Sequence, residues 1–316
     1  MTAQRRAAID IGTVTARLLV ADVDGHSIHE VVRRSKITHL GEGWSTSGVL
    51  SDAGMVRTAD AVAAFAAEAR ELGAVSTMAV ATSASRDASN SAEFVSRLER
   101  IGVHPEVIHG DREGYLTFLG ATYGFCDERV MVVDVGGGST EIVLGSTCTT
   151  GGGHTTSIDA VRSIDVGSRR ITELFLQHDP PRRREVEQAA AYVADQLRPF
   201  FLALKQRPCE MVAVAGTATS LAAIDLGLEP YDSERVHGYR MTGATLLDVL
   251  ERLAEMTLEE RRHLAGLEPD RAGVIVGGAI VLQSVMAYAG LSSTLVSEHD
   301  ILYGMMLDSG SAPDPV

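Results

Sequence analysis

The sequence predicts an α/β protein made of two duplicated domains, each with a mixed β-sheet flanked by helices. Apolar strand segments alternate with amphipathic helical segments along the chain, which is typical of α/β folds. Each half begins with two apolar strands joined by a turn of small residues, AIDIGTVTARLLVADVDG (8–25) and VVDVGGGSTEIVLGS (132–146). A second matching pair follows in the same order, MAVATSASR (78–86) and VAVAGTATS (212–220). Two matches in one order indicate a duplication.

Helices are predicted between the strands of the first half. Residues 51–73 place small apolar side chains at helical spacing, with Ser51 as a capping residue and Gly73 as the stop signal. Residues 91–102 repeat this pattern. PEVIHG (105–110) predicts a strand, and DREGYLTFLGATYG (111–124) predicts a helix.

The second half continues in the same style. TTGGGHTT (149–156) predicts a hairpin tip, and a helix follows over RRITELFL (169–176). The next helix runs toward Gln206, and Pro199 is expected to kink or break it. Residues 242–256 and 257–267 are predicted helices, and Thr257 and Glu260 form the pattern of a capping box. Residues 293–307 predict a strand and a terminal helix.

These elements suggest a domain division. We expect a first domain over residues 1–125 and a second over 126–297. A terminal helix over about 298–310 would pack back on the first domain, and residues 309–316 form a predicted disordered tail.

Composition narrows the function classes. The net charge of −14 disfavours long-range attraction of nucleic acid, so an anionic substrate needs a local basic pocket. Cys126, Cys148 and Cys209 are widely spaced, which indicates neither a zinc site nor a disulfide framework. The N-terminus lacks the apolar region of a signal peptide, and no run of about 18 apolar residues predicts a membrane span. We therefore expect a cytoplasmic protein that binds neither nucleic acid nor membrane.

The turn VMVVDVGGGSTEIVL (130–144) carries the clearest chemical signal. Gly136, Gly137 and Gly138 allow the backbone to approach a ligand closely, and successive N–H groups in such a turn suit an anion. Asp134 and Glu141 only accept hydrogen bonds, so they would hold a cation that accompanies phosphate. The turn predicts metal–phosphate binding. The competing interpretation is a simple turn; a P-loop is disfavoured because G-x-x-x-x-G-K-[ST] is missing.

An ordered set of motifs resembles one family. The motifs are IDIGTVTARLLV (9–20), ATSASRDASN (81–90), EVIHGDREGYLTFLG (106–120), VVDVGGGSTEI (132–142), SIDVGSRRITE (163–173), VAGTATS (214–220), VHGYRMT (236–242) and VSEHDILYG (296–304). Together they resemble the exopolyphosphatase/guanosine pentaphosphate phosphohydrolase (Ppx/GppA) family, within the actin–hexokinase–Hsp70-like superfamily. The resemblance implies two ribonuclease H-like domains with five-stranded mixed sheets, in the short form that lacks the C-terminal helical domains of larger members. It also implies a homodimer.

The resemblance assigns roles to residues of this chain. The two glycine turns become phosphate loops that face each other across an interdomain cleft, and Glu113 becomes the catalytic glutamate. Asp111 is the substitute if the alignment shifts. The implied phosphate-binding residues are Gly12, Thr13, Thr15, Arg17, Arg86, Gly136, Gly137, Gly138, Ser139 and Arg169, and the implied metal ligands are Asp10, Asp134 and Glu141. Arg271 ranks behind these. Val14 departs from the family, which often has Asn at this position.

Each of these residues also has a purely structural explanation. Asp10 and Asp134 could only stabilise turns, and Glu113 could be an acidic residue favoured in the first turn of a helix. Arg86 could be a solvated residue at a helix start. For Arg169, the adjacent Arg170 could face the cleft instead.

The function implied is Mg²⁺-dependent exopolyphosphatase activity, with Mn²⁺ as an alternative cation. Terminal phosphate would be removed from inorganic polyphosphate, processively or distributively, and the missing domains suggest short chains. The alternatives are hydrolysis of guanosine pentaphosphate, an alarmone-binding sensor, and, less favoured, a small-molecule kinase, because VAGTATS (214–220) lacks the fuller glycine cluster of an adenosine motif.

Overall fold

Two mixed β-sheets form the framework of the protein. The computed structural model describes residues 3–25, 27–150 and 153–308. The predicted tail at 309–316 and residues 151–152 of the predicted hairpin tip lie outside the described residues.

The strands and helices are as follows. The strands are β1 (Gln4–Ile11), β2 (Thr15–Asp24), β3 (Ser27–Ile37), β4 (Ser76–Ala81), β5 (Glu106–Val107), β6 (Cys126–Val135), β7 (Thr140–Thr150), β8 (Gly153–Ile164), β9 (Glu210–Val214), β10 (Arg240–Thr242) and β11 (Ser293–Val296). The helices are α1 (Trp44–Ser47), α2 (Asp52–Glu71), α3 (Ser83–Asp87), α4 (Ser91–Arg100), α5 (Gly110–Ala121), α6 (Ser168–Phe175), α7 (Arg183–Ala203), α8 (Ala215–Asp225), α9 (Ser233–Val236), α10 (Gly243–Glu255), α11 (Leu258–Arg262), α12 (Ile275–Ala289) and α13 (Ile301–Leu307).

The two sheets repeat one topology. The first has the order β3-β2-β1-β4-β5, and the second has the order β10-β11-β9-β6-β7-β8. In each, three antiparallel strands precede a strand that pairs in parallel with the first, β4 with β1 and β9 with β6. The α/β class and the repeated sheets are confirmed. The expected five strands are wrong for the second sheet, because β10 adds an antiparallel edge that buries Met241.

Local helix signals behave as their chemistry predicts, with one exception. The Ser51 side chain accepts a hydrogen bond from the Gly54 N–H, and Thr257 and Glu260 form the capping box that begins α11. Pro199 does not break α7, which runs from Arg183 to Ala203. Pro199 and Asp195 both lie on the exposed face, so water can satisfy the Asp195 carbonyl that loses its helical donor.

Helix α5 is wedged between the two sheets. On one side Leu116 packs with α13 residues and with the first sheet, and on the other Phe118 and Ala121 pack with strands of the second sheet. A Cβ at Gly120 would overlap the Asp300 carbonyl, and one at Gly304 would overlap the Leu116 carbonyl, so α5 and α13 are in backbone contact. This packing holds the first turn of α5 at the junction of the sheets. No helix in the described ranges has the length and apolar character that a membrane span requires.

Candidate active site

The two glycine turns meet at a cleft between the sheets. The cleft has a volume of about 1250 Å³, and residues of both turns line it. A Cβ added at Gly137 would lie 2.5 Å from Val14 Cγ2 and 3.0 Å from Thr13 Cβ. The lack of a side chain at Gly137 therefore lets the two turns touch.

Helix α6 fixes the backbone orientation of the second turn. The carbonyl of Gly136 accepts from Ser168 N at 2.8 Å, and the carbonyl of Gly137 accepts from the N–H groups of Arg169 and Arg170. Arg170 Nε donates to the Gly138 carbonyl at 2.8 Å. Within a trans peptide the N–H points opposite to the carbonyl, so three successive N–H groups point away from α6. Those N–H groups belong to Gly137, Gly138 and Ser139, all of which line the cleft.

The first turn is oriented in the same manner. The carbonyl of Thr13 accepts from Gly41 N at 2.8 Å, and that of Val14 accepts from the N–H groups of Thr38 and His39. In the part of the chain that the structure describes, no acceptor is found for the backbone N–H groups of Thr13, Val14, Gly137, Gly138 and Ser139. Each turn therefore presents unpaired N–H groups at one cleft, an arrangement that suits phosphate oxygens.

Five buried carboxylates surround the turns. They belong to Asp10, Glu113, Asp134, Glu141 and Asp300, and each is less than a tenth exposed. Arg17 and Arg86 form ion pairs with members of this group. The buried negative charge therefore exceeds the paired positive charge.

Burial raises the affinity of Glu113, Asp134 and Glu141 for protons. Burial and then the charge of Glu141 raise the pKa of Asp134 to about 8, and burial raises the pKa of Glu141 to about 7 although Ser163 donates to it at 2.7 Å. Burial and then the charges of Glu141 and Asp134 raise the pKa of Glu113 well above that of an ordinary glutamate. Raised carboxylate pKa values at a cleft are typical of acid–base sites.

Glu113 lies in the first turn of α5 and faces the cleft. Its Oε2 is buried and accepts no hydrogen bond within the described residues, and Arg86 Nη1 lies 3.5 Å away. Asp111 is exposed. Of the two acids, Glu113 is the one that is buried at the cleft.

Arg17, an expected phosphate contact, is paired with two acidic side chains in the structure. Its Nε and Nη2 donate to Asp10 Oδ2 at 3.0 and 2.6 Å, and its Nη1 donates to Asp300 Oδ2. Although Arg17 lines the cleft, its guanidinium is held between two carboxylates.

Arg169 lies outside this cleft. Its guanidinium contacts His39 and Glu173 and lines a separate pocket of about 180 Å³. The backbone of Arg169, not its side chain, supports the glycine turn. The cause is the direction of α6, whose first N–H groups face the turn while the Arg169 side chain projects toward His39.

The structure brings most of the predicted residues together. Those lining the cleft are Asp10, Gly12, Thr13, Thr15, Arg17, Glu113, Asp134, Gly136, Gly137, Gly138 and Ser139. Arg86 and Glu141 do not line it. Arg86 forms an ion pair with Glu113, and Glu141 lies near enough for its charge to raise the pKa of Glu113.

Two further residues line the cleft, Ser83 and Asp300, to which the sequence motifs assigned no role. The Ser83 hydroxyl is buried beside Gly138 without a hydrogen-bond partner among the described residues. Asp300 precedes α13, and its carboxylate accepts from Leu302 N, a capping position that the sequence pattern could have revealed.

The acidic cluster has the chemistry to hold a divalent cation. Its donors are carboxylate oxygens, which suit Mg²⁺, and the uncompensated charge and the unpaired Glu113 Oε2 favour a cation nearby. Across residues 3–25, 27–150 and 153–308, however, no three His, Cys, Asp or Glu side chains form a ready-made metal site. These carboxylates match the hard oxygen ligands that Mg²⁺ prefers, and a few of them would hold it.

Comparison with known proteins gives consistent results. The family model of the Ppx/GppA phosphatase family matches residues 19–309. Exopolyphosphatase 2 of Mycobacterium tuberculosis is 38% identical over 97% of this chain and 99% of its own length. A solved exopolyphosphatase-like protein superposes with a TM-score of 0.91 at 35% identity, covering 98% of both chains. The Aquifex aeolicus PPX-GPPA enzyme superposes with a TM-score of 0.78 at 30% identity, covering 96% of this chain and 99% of its own.

Proposed function

The chain belongs to the Ppx/GppA phosphatase family, and on this premise we propose that it is an exopolyphosphatase. Its substrate is inorganic polyphosphate, and it hydrolyses the terminal phosphoanhydride bond to release orthophosphate. The observation that carries the proposal is the contact of Gly137 with Thr13 and Val14, which directs two sets of unpaired N–H groups to the cleft that Glu113 faces.

Phosphate oxygens are bound by the turns. The N–H groups of both turns and the hydroxyls of Thr13, Ser83 and Ser139 donate to the oxygens of the terminal phosphate and its neighbour. Arg271 adds a cation to the cleft wall, where its guanidinium lies against Gly216. Catalysis of this reaction depends on positioning and charge stabilisation, which these donors supply.

Glu113 activates the attacking water. A carboxylate with a raised pKa is a stronger base than an ordinary glutamate, so Glu113 takes a proton from the water as its oxygen attacks the terminal phosphorus. The bridging P–O bond breaks, and the shortened chain leaves with the bonding electron pair. Arg86, at 3.5 Å, keeps the Glu113 carboxylate oriented.

Asp134, Glu141 and Asp10 would hold Mg²⁺. When bound, the cation neutralises charge on the phosphate oxygens. Asp10 already accepts hydrogen bonds from Arg17, so we propose Asp134 and Glu141 as the main metal ligands.

The cleft favours short chains. Acidic side chains outnumber arginines along its wall, including Glu229, Glu234 and Glu268. Such a wall repels the distant phosphates of a long polyanion, while the terminal phosphates remain bound by the turns.

Guanosine pentaphosphate is the second candidate substrate. The ring of His299 stacks on Tyr303 at 4.0 Å between centroids, and His237 and Tyr231 line the same cleft. Aromatic rings near a phosphate site can stack on a nucleobase.

The test is orthophosphate release from polyphosphates of increasing length, guanosine pentaphosphate and ATP, assayed in parallel with Glu113→Gln as the inactive control. We expect turnover of short polyphosphate and a decline with chain length. Orthophosphate release from guanosine pentaphosphate alone would identify that nucleotide as the substrate. Transfer of phosphate from ATP to an acceptor, with no release of orthophosphate, would support a kinase.

A further inference from the structure

Asp300 lies where the chain crosses from the second sheet back to the first. Strand β11 of the second sheet ends at Val296, and α13, which packs on α5 and β1, begins at Ile301. The other crossing between the sheets follows α5, at residues 122–125. The two crossings touch, since the rings of Tyr123 and His299 are 5.8 Å apart, and Gly120, near the end of α5, lies against the Asp300 carbonyl.

Asp300 is itself held in place on two sides. Its Oδ1 accepts from Leu302 N at 3.0 Å, and its carbonyl is packed against Gly120. The remaining carboxylate oxygen, Oδ2, contacts Arg17 Nη1. A side chain whose own conformation is fixed in this way can hold a neighbour in one orientation.

Arg17 connects Asp300 to the end of β1. The Nε/Nη2 edge of its guanidinium donates to Asp10, and Nη1 donates to Asp300, 283 residues away along the chain. All three side chains line the cleft, and both carboxylates are buried. Without Asp300, Arg17 would lose one of its two partners and could rotate toward bound phosphate or away from Asp10.

We propose that Asp300 is a positioning residue: its carboxylate holds Arg17 against Asp10 and so sets the geometry of the first glycine turn for the reaction. The kinetic part of this inference rests on the proposed exopolyphosphatase activity. The pairing of Asp300 with Arg17 does not depend on that activity.

The main variant is Asp300→Asn. Asparagine keeps the size of the side chain and an oxygen that can accept from Leu302 N, so the cap of α13 is retained while the charge is removed. We expect kcat to fall by roughly 10- to 100-fold, as for a misplaced active-site group. KM for polyphosphate stays equal or falls, because the cleft has lost one negative charge.

A double-mutant cycle with Arg17→Gln tests whether Asp300 acts through Arg17. If it does, adding Asp300→Asn to Arg17→Gln changes kcat less than about 3-fold, since the two losses are not additive. Losses that multiply, or a kcat of Asp300→Asn within about 2-fold of the wild type, would overturn the proposal.

Asp308→Asn is the matched control. Asp308 pairs with Arg112, so this substitution also breaks a partly buried ion pair between the end of α13 and α5, away from the cleft. We expect lower stability with unchanged kcat. An equal loss of kcat in this variant would show that any loosening of α13 has the same effect, and would contradict the proposal.

Urea unfolding of the four proteins of the cycle measures the same coupling through stability, so it does not depend on catalytic activity. A pair that interacts makes the double variant more stable than the sum of the single losses predicts. If the wild type releases no phosphate from any polyphosphate, the proposed activity fails, while additive unfolding data would separately refute the Arg17–Asp300 pairing.

Discussion

The carboxylate of Glu113 lies 3.5 Å from the guanidinium of Arg86, and its Oε2 is buried without a hydrogen bond among the described residues. A buried acid with one cationic neighbour and several acidic ones is held ready to accept a proton.

Glu113→Gln should lower kcat by roughly 10²–10⁴-fold with little change in KM, because the amide keeps the shape but cannot accept the proton of water. Orthophosphate release measures this loss. Asp111→Asn, two residues earlier and exposed, is the control and should retain activity. An active Glu113→Gln protein would remove this residue from the mechanism.

Chelation should abolish phosphate release, and Mg²⁺ should restore it. Because the cation binds the folded state, saturating Mg²⁺ should also raise stability, by about 2.7 kcal/mol at a hundredfold excess over Kd. Thermal unfolding with and without Mg²⁺ measures this shift. We expect Asp134→Asn and Glu141→Gln to lose the shift, and the exposed control Asp159→Asn to keep it. A Mg²⁺ effect that survives in both variants would place the cation elsewhere.

The metal-free protein should become less stable as pH rises from about 7 to about 8.5. Folding raises the pKa of Glu141 to about 7 and that of Asp134 to about 8, so the folded state retains protons that the unfolded chain has already released. Burial lowers the pKa of His39, His237 and His299, so their contribution grows with pH but is complete by about pH 7.

Urea unfolding in chelator at several pH values measures this trend. Asp134→Asn should flatten the decline, because the titrating group is removed. A free energy of unfolding that stays constant or increases above pH 7 would contradict the assigned burial of these acids.

Gly137→Ala should separate the two turns, because its Cβ would lie 2.5 Å from Val14 Cγ2. We expect kcat to fall by roughly 10- to 100-fold while the protein remains folded. Kinetics and circular dichroism measure the two effects. Gly273→Ala is the matched control, since a Cβ there meets nothing within 4 Å. Full activity of the Gly137 variant would mean that turn contact is dispensable.

Gly304→Ala should destabilise the protein by about 1–3 kcal/mol or more, because its Cβ would overlap the backbone carbonyl of Leu116. The clash is with backbone and cannot be relieved by a rotamer change, so α13 must move away from α5. Urea unfolding measures the loss against Gly273→Ala. A neutral result would show that α5 and α13 can separate without cost.

The sequence was sufficient to predict features that depend only on residues close together in the chain. Ser51 caps α2 and Thr257 and Glu260 cap α11 because the partners are three residues apart. The glycine turns and the repeated sheet order were likewise predictable from the duplicated motifs. The expected break at Pro199 did not occur, because Pro199 lies on the face of α7 that meets solvent.

Partners distant in sequence were decided by the tertiary structure. The motif around Arg17 predicted a phosphate contact, but Asp300 approaches it only because α13 returns to the first sheet. Arg169 and Arg170 are adjacent, and only the direction of α6 sends one guanidinium to His39 and the other to the Gly138 carbonyl.

By itself, the sequence determined the fold class, the family and the two glycine turns, because these depend on short patterns of small, apolar and capping residues. Only the tertiary structure decided how the charges are paired and which N–H groups face the cleft. The physical reason is that both depend on contacts between elements far apart in the chain: α6 orients the second turn, and α13 brings Asp300 to Arg17.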